Sequence, residues 1–137
     1  MNPTQFHFFC WIKLIETLYK PKVPMLRCVK KEIEFFHRNP SNLFTFYPQE
    51  DNFKKIAVVI KNIPCDKFAG KEFELEINLP PSFPYKPPDI IFKTPIDCPF
   101  VRKDGRICLD ILSYAWSPAY TLEATLVSIC SLLSDNE

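Results

Sequence analysis

The sequence predicts an α+β domain in which a first helix, four strands of an antiparallel sheet, a long loop and a second helix follow one another. Three observations support this prediction: apolar residues recur at helical spacing in 26–36, apolar and polar residues alternate in 72–79, and the strand candidates are joined by short connections. The chain has 137 residues, 47% of them hydrophobic, and is therefore long enough to bury one sizeable core.

Residues 1–23 do not share this pattern and are predicted to be an apolar N-terminal extension of a domain that covers residues 24–137. Charged residues interrupt the extension, and its apolar run is shorter than the roughly 20 residues that a bilayer span needs, so a membrane anchor is not expected. It also lacks the basic start and cleavage site of a signal peptide. Two interpretations stay open: a short helix that packs on the domain or on a partner, or a segment ahead of an initiator at Met25.

The first helix is predicted to begin at Pro24 and to end at Asn39-Pro40, because proline and the residue before it disfavour helix. Four strands are predicted after it, at residues 43–47, 54–61, 72–79 and 89–93. Short connections favour an antiparallel meander over parallel crossover units, which need a dozen or so residues between strands.

Two segments without periodicity interrupt the pattern. Residues 79–89, LPPSFPYKPPD, contain five prolines and are predicted to form a stiff loop. Residues 94–120 are a long loop rich in aromatic residues, and a loop of this length in a small domain is usually functional. Thr121 is predicted to cap the final helix. The apolar stripe of that helix consists of Leu122, Leu126, Ile129 and Leu133.

Charge and cysteine usage exclude several classes of function. The chain has 17 Lys and Arg against 16 Asp and Glu, a net charge of +1, so no broad surface for nucleic acid is expected. The six cysteines stand singly and form no CxxC pair, which argues against a disulfide framework and against a zinc site. The sequence therefore predicts a cytoplasmic or nuclear protein that holds neither a metal nor another cofactor.

Cys108 is the most informative residue, because it stands in the run DGRICLDIL on a segment predicted to be extended just after a glycine turn. A thiol in this place is either reactive or buried. A cysteine hydrolase would need a histidine base within hydrogen-bond reach. His7 lies in the extension and His37 at the end of the first helix, so hydrolase chemistry is not expected.

Four short motifs, in their order and separations, resemble the catalytic domain of the ubiquitin-conjugating enzymes. They are YKPPDIIF at 85–92, ICLDIL at 107–112, WSPA at 116–119 and SICSLLSD at 128–135. The family pattern can be laid over residues 25–136 without a gap. The resemblance implies the UBC-like fold, and it implies a chain that ends before the family's usual C-terminal helices.

The resemblance also implies a function for Cys108. Its thiol would accept ubiquitin as a thioester from a ubiquitin-activating enzyme and pass it to a substrate amine with a ubiquitin ligase, since a thiolate is both a nucleophile and a good leaving group. Asp110 is implied as a second candidate catalytic residue, which would orient the incoming amine or the loop. The implied binding surface for the activating enzyme and the ligase consists of Arg27, Lys31, Tyr85, Lys86, Ser117, Pro118 and Ala119.

The chain departs from the family at Cys98-Pro99-Phe100, where the family usually has His-Pro-Asn. That asparagine is credited with supporting the oxyanion or ordering the loop, and losing one oxyanion donor typically costs ~100- to 1000-fold in rate. Phe100 offers no side-chain hydrogen bond, and Cys98 is expected to pack beneath the loop. Two alternatives therefore stay open: a transfer-deficient UBC-like binding module, and a conjugating enzyme for a related modifier.

Overall fold

The computed structural model describes residues 24–49 and 54–135, and in the first helix its side chains are described from Val29 onwards. The apolar extension predicted for residues 1–23 therefore lies outside the described residues, and so does the side chain of Arg27. No helix within the described residues is both long and apolar enough to cross a bilayer.

Two helices form where the apolar spacing predicts them, α1 at Pro24–Arg38 and α2 at Leu122–Ser134. Helix α1 ends at the predicted stop: the backbone and side-chain N–H groups of Asn39 both donate to the carbonyl oxygen of Phe35, at 2.9 and 3.0 Å. At the start of α2 the Thr121 hydroxyl accepts a hydrogen bond from the Ala124 N–H at 3.0 Å, which confirms the predicted cap.

Four strands form the predicted antiparallel meander, in the spatial order β1-β2-β3-β4. They span Phe44–Pro48 (β1), Lys55–Ile60 (β2), Phe73–Asn78 (β3) and Asp89–Phe92 (β4). Burial alternates along every strand, as expected for a sheet with one face against the core. The register brings one row of apolar residues together across the sheet, consisting of Phe46, Val58, Leu75 and Phe92.

Both helices contribute to a single core cluster with the buried face of the sheet. The Phe36 ring of α1 lies 4.9 Å from the Phe46 ring of β1, centroid to centroid. The predicted stripe of α2 is buried along its whole length. Thr125, a polar residue in this core, is satisfied because its hydroxyl donates to the Thr121 carbonyl oxygen at 2.9 Å. The predicted α+β order of a helix, a four-stranded antiparallel meander, a long loop and a second helix is therefore confirmed.

Candidate functional site

A hairpin inside the long loop places Cys108 beside β4. Val101 pairs with Ile107 across the hairpin, and Arg106 pairs with Ile91 of β4, each in an antiparallel bridge. The hairpin thus continues the sheet beyond its edge strand by a short stretch of backbone pairing. The sequence did not predict it, because the pairing is too short to produce any alternation of apolar and polar residues.

Gly105 makes the turn of this hairpin and its close approach to β4 possible. It has φ of +89°, in the left-handed region, and its carbonyl oxygen accepts the Phe92 N–H at 2.9 Å. A Cβ at this position would lie only 2.3 Å from the Phe92 carbonyl oxygen. Glycine is therefore required here both by conformation and by space, and the glycine turn predicted before Cys108 is present.

The Cys108 thiol is exposed and lines an open groove of about 450 Å³. Of the four cysteines whose side chains are described, the other three, Cys65, Cys98 and Cys130, are buried. Burial raises the pKa of the Cys130 thiol to about 11, so that thiol stays protonated. The groove is lined by Pro88, Asp89, Ile90, Arg102, Arg106, Ile107, Leu109, Asp110, Leu112, Ser113 and Tyr114 in addition to Cys108.

Asp110 is exposed in the same groove, on backbone that is well held. It begins a short 3-10 turn, Asp110–Leu112, and its carbonyl oxygen accepts the N–H groups of Ser113 and Ala115, each at 3.0 Å. Across the groove, Arg106 is paired with Asp89 at 3.4 Å and Asp104 at 3.8 Å. The structure thus brings the two candidate catalytic residues, Cys108 and Asp110, to one groove.

The tripeptide Cys98-Pro99-Phe100 is joined to Cys108 through a backbone hydrogen bond. The Phe100 carbonyl oxygen accepts the Cys108 N–H at 2.7 Å, so the backbone of this position holds the cysteine in place. The Phe100 ring is 37% exposed. Cys98 is buried in the core cluster, as expected for a residue that packs beneath the loop. The tripeptide therefore supports the loop through its backbone, while its side chains bring no hydrogen-bonding group toward the groove.

Trp116 joins the proline-rich loop to the loop that precedes α2. Its indole N–H donates to the Pro84 carbonyl oxygen at 2.8 Å, and its ring packs on Phe83 with centroids 6.1 Å apart. Tyr85, next to Pro84, is 72% exposed. This tie brings two of the three segments of the predicted partner surface together.

The remaining residues of the predicted partner surface are mostly open to solvent. Lys31 on α1, Lys86 in the proline-rich loop, and Pro118 and Ala119 after Trp116 are exposed. Ser117 is half-buried, and its hydroxyl accepts the Ala119 N–H at 3.2 Å.

Two residues near these sites were missed by the sequence analysis. Tyr114 is 89% exposed and lines the groove of Cys108, in a loop where no pattern distinguishes it from its neighbours. Glu32 of α1 reaches the first turn of α2, where its carboxylate accepts the Glu123 N–H at 2.8 Å. In sequence Glu32 is an ordinary polar residue of an amphipathic helix, so no local signal reveals this contact.

The described residues contain no group of three or more His, Cys, Asp and Glu side chains that is arranged to hold a metal ion. The side chains that line the groove offer a thiol (Cys108), two carboxylates (Asp89 and Asp110), two guanidinium groups (Arg102 and Arg106) and two hydroxyl groups (Ser113 and Tyr114).

Comparison with known proteins links this geometry to a family. The family model of the ubiquitin-conjugating enzymes matches residues 28–137. Among solved structures, the chain is similar to human ubiquitin-conjugating enzyme E2 G1, with a TM-score of 0.73 and 26% identity over 84% of this chain and 96% of that one. It is also similar to a ubiquitin-conjugating enzyme E2 from Plasmodium falciparum, with a TM-score of 0.73 and 26% identity over 80% of this chain and 97% of that one.

Proposed function

Because the chain belongs to the ubiquitin-conjugating enzyme family, we propose that it accepts ubiquitin as a thioester on Cys108 and transfers it to a substrate amine with a ubiquitin ligase. The observation that carries this proposal is the placement of Cys108, an exposed thiol in an open groove, among described cysteines that are otherwise buried. A thiol that must remain free suits the reducing cytoplasm or nucleus.

Loading replaces a thioester on the activating enzyme with a thioester on Cys108. The Cys108 sulfur attacks the carbonyl carbon at the ubiquitin C-terminus, a C–S bond to Cys108 forms, and the C–S bond to the activating enzyme's thiol breaks. The thiol proton of Cys108 passes to solvent, and the departing thiolate takes one up. Because one thioester replaces another, little free energy is needed and no strong base is required.

Transfer of ubiquitin to the substrate then frees the Cys108 sulfur. A substrate amine attacks the thioester carbonyl, a C–N bond forms, and Cys108 leaves as a thiolate. Asp110 lines the groove with Cys108, and its carboxylate would attract the ammonium form of the amine and orient it after deprotonation. The hydrogen bonds to its carbonyl oxygen would hold the Asp110 backbone in the groove, from which the exposed carboxylate would meet an incoming amine.

Phe100 favours a second candidate function. With no amide at this position, oxyanion support from its side chain is absent, and losing one such donor typically slows acyl transfer by ~100- to 1000-fold. The result would be a protein that loads ubiquitin but discharges it very slowly, or one that only binds ubiquitin or a partner. An amine with a lower pKa than lysine would need less assistance in transfer.

The activating enzyme and the ligase would bind the surface that combines Lys31 of α1, Tyr85 and Lys86 of the proline-rich loop, and residues 117–119. Exposed Tyr85 supplies an apolar anchor of the kind that dominates binding free energy. The two lysines would set the rate and orientation of approach to an acidic partner.

The test of loading mixes the protein with activating enzyme, ATP and ubiquitin. A conjugate that thiol reductant removes is expected for the wild type, and a slower, reductant-stable ester for Cys108→Ser. Cys98→Ser is the matched control, since Cys98 is buried: it is expected to load with a reducible adduct. An adduct with a related modifier but none with ubiquitin would support a conjugating enzyme for that modifier. If no modifier forms an adduct, the proposed thioester function fails, and the alternative of a UBC-like binding module is supported.

The test of transfer follows discharge of the loaded protein onto free lysine. Phe100→Asn is expected to speed discharge, because it restores the amide that the family usually has at this position. Phe100→Ala separates this gain from the effect of removing the ring. If both variants discharge as the wild type does, the oxyanion is supported by another group, and the slow-transfer alternative loses its basis.

A further inference from the structure

Glu32 connects two helices that lie far apart in sequence. Its Oε1 accepts the N–H of Glu123, 91 positions away, at 2.8 Å, and the backbone of Leu122 and the side chain of Thr121 also hydrogen-bond to the carboxylate. On α1, Glu32 is followed by Ile33, which is anchored in the core. The carboxylate is therefore a tie between α1 and the first turn of α2.

The tie also completes the capping of helix α2. The Thr121 hydroxyl accepts the Ala124 N–H, and the Glu32 carboxylate accepts the N–H groups of Glu123 and of Leu122, which is fully buried and has no water to replace this partner. Burial raises the pKa of Glu32 above its ordinary value and outweighs the hydrogen bonds that would lower it. Placing a carboxylate here thus carries a desolvation cost, which its hydrogen bonds to the first turn of α2 offset only in part.

The tie joins segments that otherwise present separate parts of one surface. Lys31, exposed on α1, directly precedes Glu32, and residues 117–119 lie three to five positions before Leu122, where α2 begins. Trp116 fastens the proline-rich loop to the loop before α2. The Glu32 carboxylate adds α1 to this assembly through its hydrogen bond from the Glu123 N–H.

We infer that Glu32 is a positioning residue that holds α1 in register with residues 117–123 and so assembles the binding surface for the activating enzyme and the ligase. The inference rests on the proposed function, because that function supplies the partners. Glu32 itself touches no reacting atom in this scheme. Its loss would weaken partner binding and leave the chemistry of the Cys108 thiol unchanged.

Three substitutions at Glu32 separate geometry from charge. Glu32→Asp keeps the charge but withdraws the carboxylate by one methylene, Glu32→Gln keeps the length and an acceptor oxygen, and Glu32→Ala removes both. Glu34→Ala is the matched control, because Glu34 lies on the same helix and its carboxylate pairs only within α1, with Lys30 at 4.0 Å. Thermal melting of every variant verifies that the domain is folded.

The first readout is thioester loading as a function of protein concentration. Glu32→Asp and Glu32→Ala are expected to raise KM for loading about tenfold, a typical size for coupling between two sites, with kcat unchanged. Glu32→Gln and Glu34→Ala are expected to behave as the wild type. Alkylation of Cys108 by iodoacetamide should proceed at one rate in all variants, since the thiol does not depend on the tie.

The second readout is amide exchange at residues 117–124, which should accelerate in the Asp and Ala variants alone. Faster exchange without a change in KM would overturn the inference, and so would unchanged exchange. If the wild type does not load, the proposed function fails by itself. Direct binding of the activating enzyme to each variant then tests Glu32, and equal affinities, or no binding by the wild type, would overturn the inference.

Discussion

Replacing Gly105 by alanine should damage the hairpin that carries Cys108. Alanine at a φ of +89° costs about 1–2 kcal/mol in left-handed backbone strain. Its Cβ would also meet the Phe92 carbonyl oxygen at 2.3 Å and the Ile91 Cγ2 at 2.9 Å. Because the nearest atom belongs to backbone, the hairpin must move away from β4, which weakens the bond from the Phe92 N–H to the Gly105 carbonyl at a further cost of about 1 kcal/mol.

Gly70 provides the matched control within the same chain. Its φ is +74°, close to that of Gly105, yet a Cβ there would meet no atom within 4 Å. Gly70→Ala should therefore cost only the strain of about 1–2 kcal/mol, whereas Gly105→Ala should cost about 2–4 kcal/mol when strain, contact and the weakened bond are combined. Both variants lose the same unfolded-state entropy, so that term cancels between them.

Urea denaturation of the two variants measures this difference directly, and a domain with a typical stability of about 5–15 kcal/mol tolerates either change. Gly105→Ala should also change the rate at which iodoacetamide alkylates Cys108 in the folded protein, because Cys108 is three positions further along the displaced backbone, while Gly70→Ala should not. Equal losses of stability in the two variants would refute the argument that the close approach to β4 requires glycine.

Three further predictions concern the buried thiols and the two side-chain ties. In the native protein, iodoacetamide should modify the exposed Cys108 well before the buried Cys65, Cys98 and Cys130. Cys130 should react only on unfolding, because burial protects its thiol and raises its pKa to about 11. Peptide mass spectrometry measures the labelling, and comparable labelling of all four cysteines would contradict the prediction. Burial holds the pKa of Glu32 above its usual value of 4.5, so the folded protein binds that proton more tightly than the unfolded chain, and ionisation lowers stability as the pH rises through the folded pKa. Glu32→Gln cannot ionise and so does not lose this stability. The difference in free energy of unfolding, variant minus wild type, should therefore increase from about pH 4 upward and then level off. A constant or falling difference would show that the folded protein favours the ionised form of Glu32. Trp116→Phe removes the N–H that the Pro84 carbonyl accepts and should cost about 1–2 kcal/mol in urea denaturation; no change would mean that water replaces the indole.

The sequence predicted those parts of the fold that repeat a pattern. The alternation in residues 72–79 and the spacing of Val29, Ile33 and Phe36 each report burial on one face. The strand bounds differ from the predicted ones by at most one residue. The stop at Asn39-Pro40 was readable because proline constrains the residue before it. These signals are local, so a single sequence contains them.

The parts that were missed depend on contacts between distant segments. The pairing of Arg106 with Ile91 involves one residue on each side, which is too short to leave a pattern. The bond from Glu123 to Glu32 joins residues whose local sequences are fully explained by an exposed helix face and a helix start. Cys108 could be singled out from sequence, but its exposure could not, since Ile107 and Leu109 on either side suit a buried strand equally well.

The thiol and the partner surface are built by different means, and this separates their functions. Backbone hydrogen bonds hold Cys108 in place: its N–H bonds to the Phe100 carbonyl, and Gly105 fixes the turn before it. The proposed partner surface instead depends on side-chain hydrogen bonds. The Trp116 indole joins the proline-rich loop to the loop before α2, and the Glu32 carboxylate joins α1 to the first turn of α2. Substitutions at position 100 can therefore change the side chain there without disturbing the backbone bond that holds the cysteine. It follows that Phe100 should alter the rate of transfer, and Glu32 the affinity for partners, with little effect of either on the other.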